Sequence, residues 1–128
     1  MKMTLAVAVA FSVMVLAGCG SGGAATTTIS GAYGTTITTP LSAAGEYTLY
    51  FLKKGMGNVA VNGQPTCHTF TFKGSTLTAP GGGCNVCPTA GTYRIHLAGK
   101  HLTFTVIHDP CTIGRAQVFP GHTWTKVG

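Results

Sequence analysis

Acidic side chains are nearly absent: Glu46 and Asp109 are the only two in 128 residues, against eight Lys and Arg. A two-carboxylate mechanism would require that pair to converge, and a Ser-His-Asp arrangement would draw on the same short supply. Ser30, Ser42 and Ser75 sit in no nucleophile-elbow motif, and Gly81-Gly82-Gly83 leads into a cysteine-rich loop, not into a phosphate-cradling helix. Catalysis is not expected. The basic residues are scattered, only Lys53 and Lys54 are adjacent, and no interleaved aromatics make a stacking platform. Neither a nucleic-acid partner nor a cofactor is expected, although residues 19–128 carry seven basic groups against two acidic ones, a formal charge near +5.

Long apolar runs are also missing, save one. Leu5 to Leu16 is apolar throughout but for Ser12, follows the single charge of Lys2, and is too short to span a bilayer as a mature helix. That is the form of a secretory signal, expected to be helical. It ends in Leu16-Ala17-Gly18-Cys19, an aliphatic residue and two small ones before a cysteine. This resembles the lipobox of bacterial lipoproteins. The resemblance implies cleavage before Cys19, with its thiol linked to a diacylglycerol as a lipid anchor to a membrane of the cell envelope, on the extracytoplasmic side. Residues 20–28, rich in Gly, Ala and Thr, read as a flexible tether. The expected organisation is a signal peptide over 1–18, a lipidated Cys19 and tether over 19–28, and one domain over 29–128.

Within that domain helical periodicity is absent, and threonine replaces the usual Lys and Glu of a surface. Two-residue alternation predicts strands at about 29–36, 46–53, 58–62, 67–73, 75–79, 92–98, 101–108 and 115–127, the last bending at Pro120-Gly121, with a short helical turn within 40–45. The best-specified unit runs from Tyr93 to Val106. A two-residue turn at Gly99-Lys100, with glycine first, calls for type II′ geometry and pairs Tyr93 with Val106, Ile95 with Phe104 and Leu97 with Leu102 on one face. Arg94 and His96 then lie on the other face beside Thr105 and Thr103. A second hairpin at Lys73-Gly74-Ser75 turns Phe70 and Phe72 inward. The fold class is all-β: a small antiparallel up-and-down β-barrel, with a β-sandwich as the alternative. A barrel leaves no edges on strands that carry few charged gatekeepers.

The stretch Gly91-Thr-Tyr-Arg to Asp109-Pro-Cys111, then Arg115 and a closing Trp124-Thr-Lys126, resembles small lipocalin-like domains of bacterial lipoproteins. Gly31-Ala-Tyr33 is similar to their opening strand, with Tyr where true lipocalins have Trp. The resemblance implies that Arg115 and Tyr33 help close one end of an up-and-down barrel, and that a small apolar ligand is a partner to consider. No individual ligand residue is legible.

Setting Cys19 aside leaves Cys67, Cys84, Cys87 and Cys111, an even number in an exported small domain, which favours two disulfides and three possible pairings. The hairpin register, extended, sets Cys111 opposite Pro88, so Cys87 to Cys111 is favoured and Cys67 to Cys84 follows by exclusion. Each bridge would contribute on the order of 3 kcal/mol. The Cys84-Asn85-Val86-Cys87 spacing suits a zinc knuckle, but its partner would be the dipeptide Cys67-His68, whose side chains leave a regular strand on opposite faces. No metal site is therefore expected. Pro88 after the pair excludes covalent haem attachment and argues against a redox couple at a helix N-terminus. The five histidines, His68, His96, His101, His108 and His122, read as solvated strand residues. The expected function is that of a non-enzymatic, lipid-anchored barrel; a Cys/His metal-binding protein and an envelope interaction module are the alternatives.

Overall fold

The computed structural model describes residues 29–84 and 87–128. The expected signal peptide over 1–18, Cys19 and the expected tether lie outside the described residues. Alternating apolar and threonine residues form eight strands: β1 Gly31–Ile37, β2 Gly45–Phe51, β3 Met56–Val61, β4 Gln64–Lys73, β5 Thr76–Ala79, β6 Gly91–Ala98, β7 His101–His108 and β8 Trp124–Lys126. Each pairs antiparallel with the next and β8 returns to β1, closing a barrel. Leu41–Ala43 forms one turn of 3-10 helix, as expected of 40–45.

This up-and-down order sorts the connections into two ends. At one, here the terminal end, the chain enters at Gly31, leaves after Lys126, and makes the connections β2–β3, β4–β5 and β6–β7. The other, the bridged end, carries the connections β1–β2, β3–β4, β5–β6 and β7–β8 and both disulfides.

The β6–β7 hairpin has the expected register from Ala98↔His101 to Tyr93↔Val106, and Gly99 supplies the positive φ (60°) that the turn requires while Lys100 does not need one. The register then shifts, so that Thr92 pairs with His108. One extra residue on β7 reverses which face the following side chains take. Val106 and Ile107 become exposed at this bulge, and Asp109 is aimed inward opposite Gly91.

Aromatic rings fill the interior. Phe70 contacts Phe51 and Phe119 edge-on, with centroids 5.2 and 6.3 Å apart, and Phe104 meets Trp124 at 6.1 Å. Trp124, Tyr93, Leu49, Leu77 and Leu102 are fully buried. An eight-stranded barrel is just wide enough for such side chains to fill it or to hold one small ligand. Opposite Phe70 stands Gly57, where a Cβ would overlap the Phe70 ring. The missing side chain is what lets the ring lie over the strand.

The expected strand over 115–127 is corrected. Arg115–Val118 is instead a short helix, α1, and only Trp124–Lys126 is a strand. The alternation of the sequence there is real, but the chain has to cross the barrel mouth from β7 to β8. In crossing, it drives Phe119 between Phe70, Tyr93 and Phe104, the last two at 5.2 and 5.3 Å.

Gly57→Ala tests this packing. Phe70 is hemmed in by Phe51 and Phe119 and has no room to yield, so the variant should lose about 1–3 kcal/mol in urea unfolding. An unchanged midpoint would show that the ring does not depend on the glycine.

Candidate functional site

The bridged end gathers most of the chemistry of the chain. Asp109 accepts from Arg115 at both carboxylate oxygens: Nη2 lies 2.9 Å from Oδ1 and Nε 2.9 Å from Oδ2. The Cys111 N–H donates to Oδ1 at 2.9 Å, and the Tyr93 hydroxyl donates to Oδ2. Arg115 also donates to the carbonyl of Pro80, at 3.3 Å, and to that of Thr89, and its Nη2 lies 3.5 Å from Cys87 Sγ. The Arg115 and Asp109 side chains are only 7% and 1% exposed. A planar, permanently charged fork suits this two-pronged contact as no lysine would.

Close approach makes the arrangement possible. A Cβ on Gly91 would stand 2.7 Å from the Asp109 carboxyl carbon and 2.9 Å from Arg115 Nε, so only glycine leaves space. Asp109 shapes the turn before Pro110, as its position suggests, and also anchors Arg115.

Burial alone would raise the Asp109 pKa. The hydrogen bonds from Arg115, Tyr93 and the Cys111 N–H, together with the guanidinium charge, outweigh burial and hold it below the ordinary aspartate value. Burial, then the bond to Asp109, pushes the Tyr93 hydroxyl well above its ordinary value. The hydrogen bond with Asp109 raises Arg115 further. No proton is poised for transfer near neutrality, so the trio is suited to holding structure and poorly suited to acid–base chemistry.

Tyr33, expected to help close the same end of the barrel as Arg115, is corrected to the other half. It pairs with Leu49 and Lys126, packs edge-on against Phe51 at 5.7 Å, and belongs to the terminal end. The aromatic partner of the Asp109–Arg115 pair is Tyr93. Sequence reasoning set Tyr93 inward but missed its bond to Asp109, because the bulge that redirects Asp109 leaves no signature in alternation.

Cys67 is bonded to Cys84 and Cys87 to Cys111, each with Cα atoms 6.1 Å apart. The β7 bulge moves the extended ladder by one position, yet Cys87 still reaches Cys111. Cys67 and His68 lie in a second irregularity: β3 and β4 pair as Asn58↔Thr69 and then Ala60↔Pro65, so three residues of β4 stand against Val59 alone. Burial still alternates from Thr66 to Phe70, with Cys67 exposed and His68 half-buried, yet their side chains are not kept apart. His68 Nδ1 comes within 3.6 Å of Cys84 Sγ. Two groups, Cys67–His68–Cys84 and Cys87–Asp109–Cys111, place three potential ligand atoms within 4.8 Å of one another. In each, two of the donors are the sulfurs of one disulfide, and Asp109 is already engaged by Arg115. The other histidines do not converge: His96 contacts Thr105, His101 contacts Thr125, and His122 meets the Gln117 carbonyl.

Beside the ion pair is a cavity of about 240 Å³. Its walls are Tyr47, Val59, Val61 and Ala79 from the strands and Val118 and Phe119 from the crossing segment, with Thr66 and His68 of the β4 irregularity and Arg115 at its margins. Tyr47 donates its hydroxyl to the Ala43 carbonyl at 2.9 Å, and burial raises its pKa.

Asp109→Asn would leave the guanidinium buried without its counter-charge and should cost about 3–5 kcal/mol at neutral pH. Folding lowers the Asp109 pKa, so its stabilisation is complete above the ordinary aspartate value and is lost as pH falls through the lowered folded value. The stability gap between the variant and the parent, measured by urea unfolding, should therefore narrow in acid. A gap that is constant with pH would contradict the pair.

No protein-family model, curated protein or solved structure matches this chain.

Proposed function

We propose that this chain is a lipid-anchored, extracytoplasmic lipoprotein whose barrel takes a small apolar ligand at its bridged end and performs no catalysis. The observation that carries the ligand reading is the cavity of about 240 Å³ walled by aliphatic and aromatic side chains. Its size lies below the roughly 300–1,000 Å³ of sites for drug-sized molecules, which restricts the ligand to something like a single ring or a short acyl segment. The anchoring reading is supported by Leu16-Ala17-Gly18-Cys19 and the polar tether that follows. A non-enzymatic role is supported by the fate of the two acids: Asp109 is locked to Arg115, and Glu46 is exposed on β2.

Metal binding is a second reading, favoured by the approach of His68 to Cys84. It would require the Cys67–Cys84 bridge to open, since thiolates are the ligands.

Titration of the oxidised protein with an apolar fluorescent probe should show saturable uptake, and Val118→Trp, which fills the space, should abolish it. Folded protein that takes up no probe would end the ligand reading. The intact mass of membrane-extracted protein should equal that of residues 19–128 plus acyl groups, less the hydrogens lost to two bridges. An unprocessed chain would refute anchoring, and titratable Cys67 and Cys84 thiols in denatured, unreduced protein would favour the metal reading.

A further inference from the structure

The described charges are spread unevenly: the lysines lie at one end of the barrel and both acids at the other, with Arg115 paired to Asp109 and Arg94 exposed midway along β6. Lys53 and Lys54 lie in the β2–β3 connection, Lys73 at the β4–β5 turn, Lys100 in the β6–β7 turn and Lys126 at the end of β8. Among the described residues these are all the lysines; every one is exposed, and every one belongs to the terminal end. Both acids are at the other end, Glu46 at the start of β2 and Asp109 after β7. Leu52, Met56 and Val127 stand exposed among the lysines; Leu41, Ile107 and Ile113 are exposed at the bridged end, so the lysines and not the apolar side chains distinguish the two ends. The chain also enters the barrel at this end, through Ile29 to Gly31.

We infer that the terminal end is a docking surface for an anionic phospholipid bilayer, on which the barrel stands end-on. A ring of ammonium groups around one barrel rim can face a plane of phosphates all at once, which scattered charge on the barrel wall could not do. Leu52, Met56 and Val127 then enter the headgroup layer, where apolar side chains flanked by lysines are favoured. The inference deepens the proposed anchoring, because the segment after Cys19 joins the barrel on this side. It stands on the charge distribution, however, and is testable without acylation. β8 closes onto β1 and the core of the described residues runs from Ile29 to Trp124, which makes 29–128 the segment to test.

The test is co-sedimentation of oxidised 29–128 with phosphatidylcholine vesicles containing phosphatidylglycerol, and with phosphatidylcholine alone. Binding is expected only to the anionic vesicles and should decline as salt rises. Lys→Gln at positions 53, 54, 73 and 100 should each weaken it about fivefold. Glu46→Gln raises the net charge by one at the far end and should leave binding unchanged. Equal binding to both vesicle types, no binding at low salt, or a Glu46→Gln gain that matches a lysine loss would overturn end-on docking. The intact mass reports acylation separately: an acylated protein whose barrel ignores vesicles disproves this inference alone, and a vesicle-binding barrel from a chain without acyl groups disproves only the anchor.

Discussion

The buried pairing of Asp109 with Arg115 constrains the bridged end more than any other contact. Taking two charges out of water is costly, and the pair is tolerable only if its remaining hydrogen-bonding capacity is met. Here the carboxylate accepts four bonds, from Arg115 twice, Tyr93 and the Cys111 N–H. The guanidinium reaches out to the Pro80 and Thr89 carbonyls. Among the described residues no buried side-chain polar atom lacks a partner. Local features that otherwise look unrelated follow from this one requirement. Gly91 has no side chain because the carboxylate occupies that space, and β7 is bulged because regular pairing would turn Asp109 toward solvent. The Cys87–Cys111 bridge ties the loop before β6 to the turn that Asp109 organises.

The same end holds the cavity, and the two are connected through α1. Arg115 begins the segment that crosses the mouth, and Phe119 ends it by entering the core. Between those fixed points Val118 roofs a space that small side chains, Ala79 and the valines of β3, leave open. Toward the terminal end Phe51, Phe70 and Phe72 occupy the interior instead. The barrel is therefore filled unevenly, and the room in it is a matter of where aromatic residues fall along the strands.

The polarity of charge has a topological origin. In an up-and-down barrel every second connection lies at the same end, so lysines far apart in sequence, from position 53 to 126, are brought to a common rim. Along the chain they look scattered. Threonine on the outer faces leaves Arg94 as the charge exposed midway along the wall among the described residues, and the contrast between rim and wall is produced by the closed sheet.

The all-β class, the hairpin register about Gly99-Lys100, the inward set of Tyr93, Ile95 and Phe104 and the favoured cysteine pairing are all legible in the sequence. They depend on short-range rules: alternation with a period of two, and a turn that tolerates few residue types. The path of 115–127, the meeting of Tyr93 with Asp109 and the approach of His68 to Cys84 are not legible. Each depends on a bulge or a crossing that breaks the period, and a one-residue insertion in a ladder costs too little to be marked by composition. The sequence by itself determined which residues alternate and where the hairpins turn, because those are properties of neighbours along the chain. Only the tertiary structure decided which charges share an end and where the barrel stays open, because those depend on the closure of β8 onto β1.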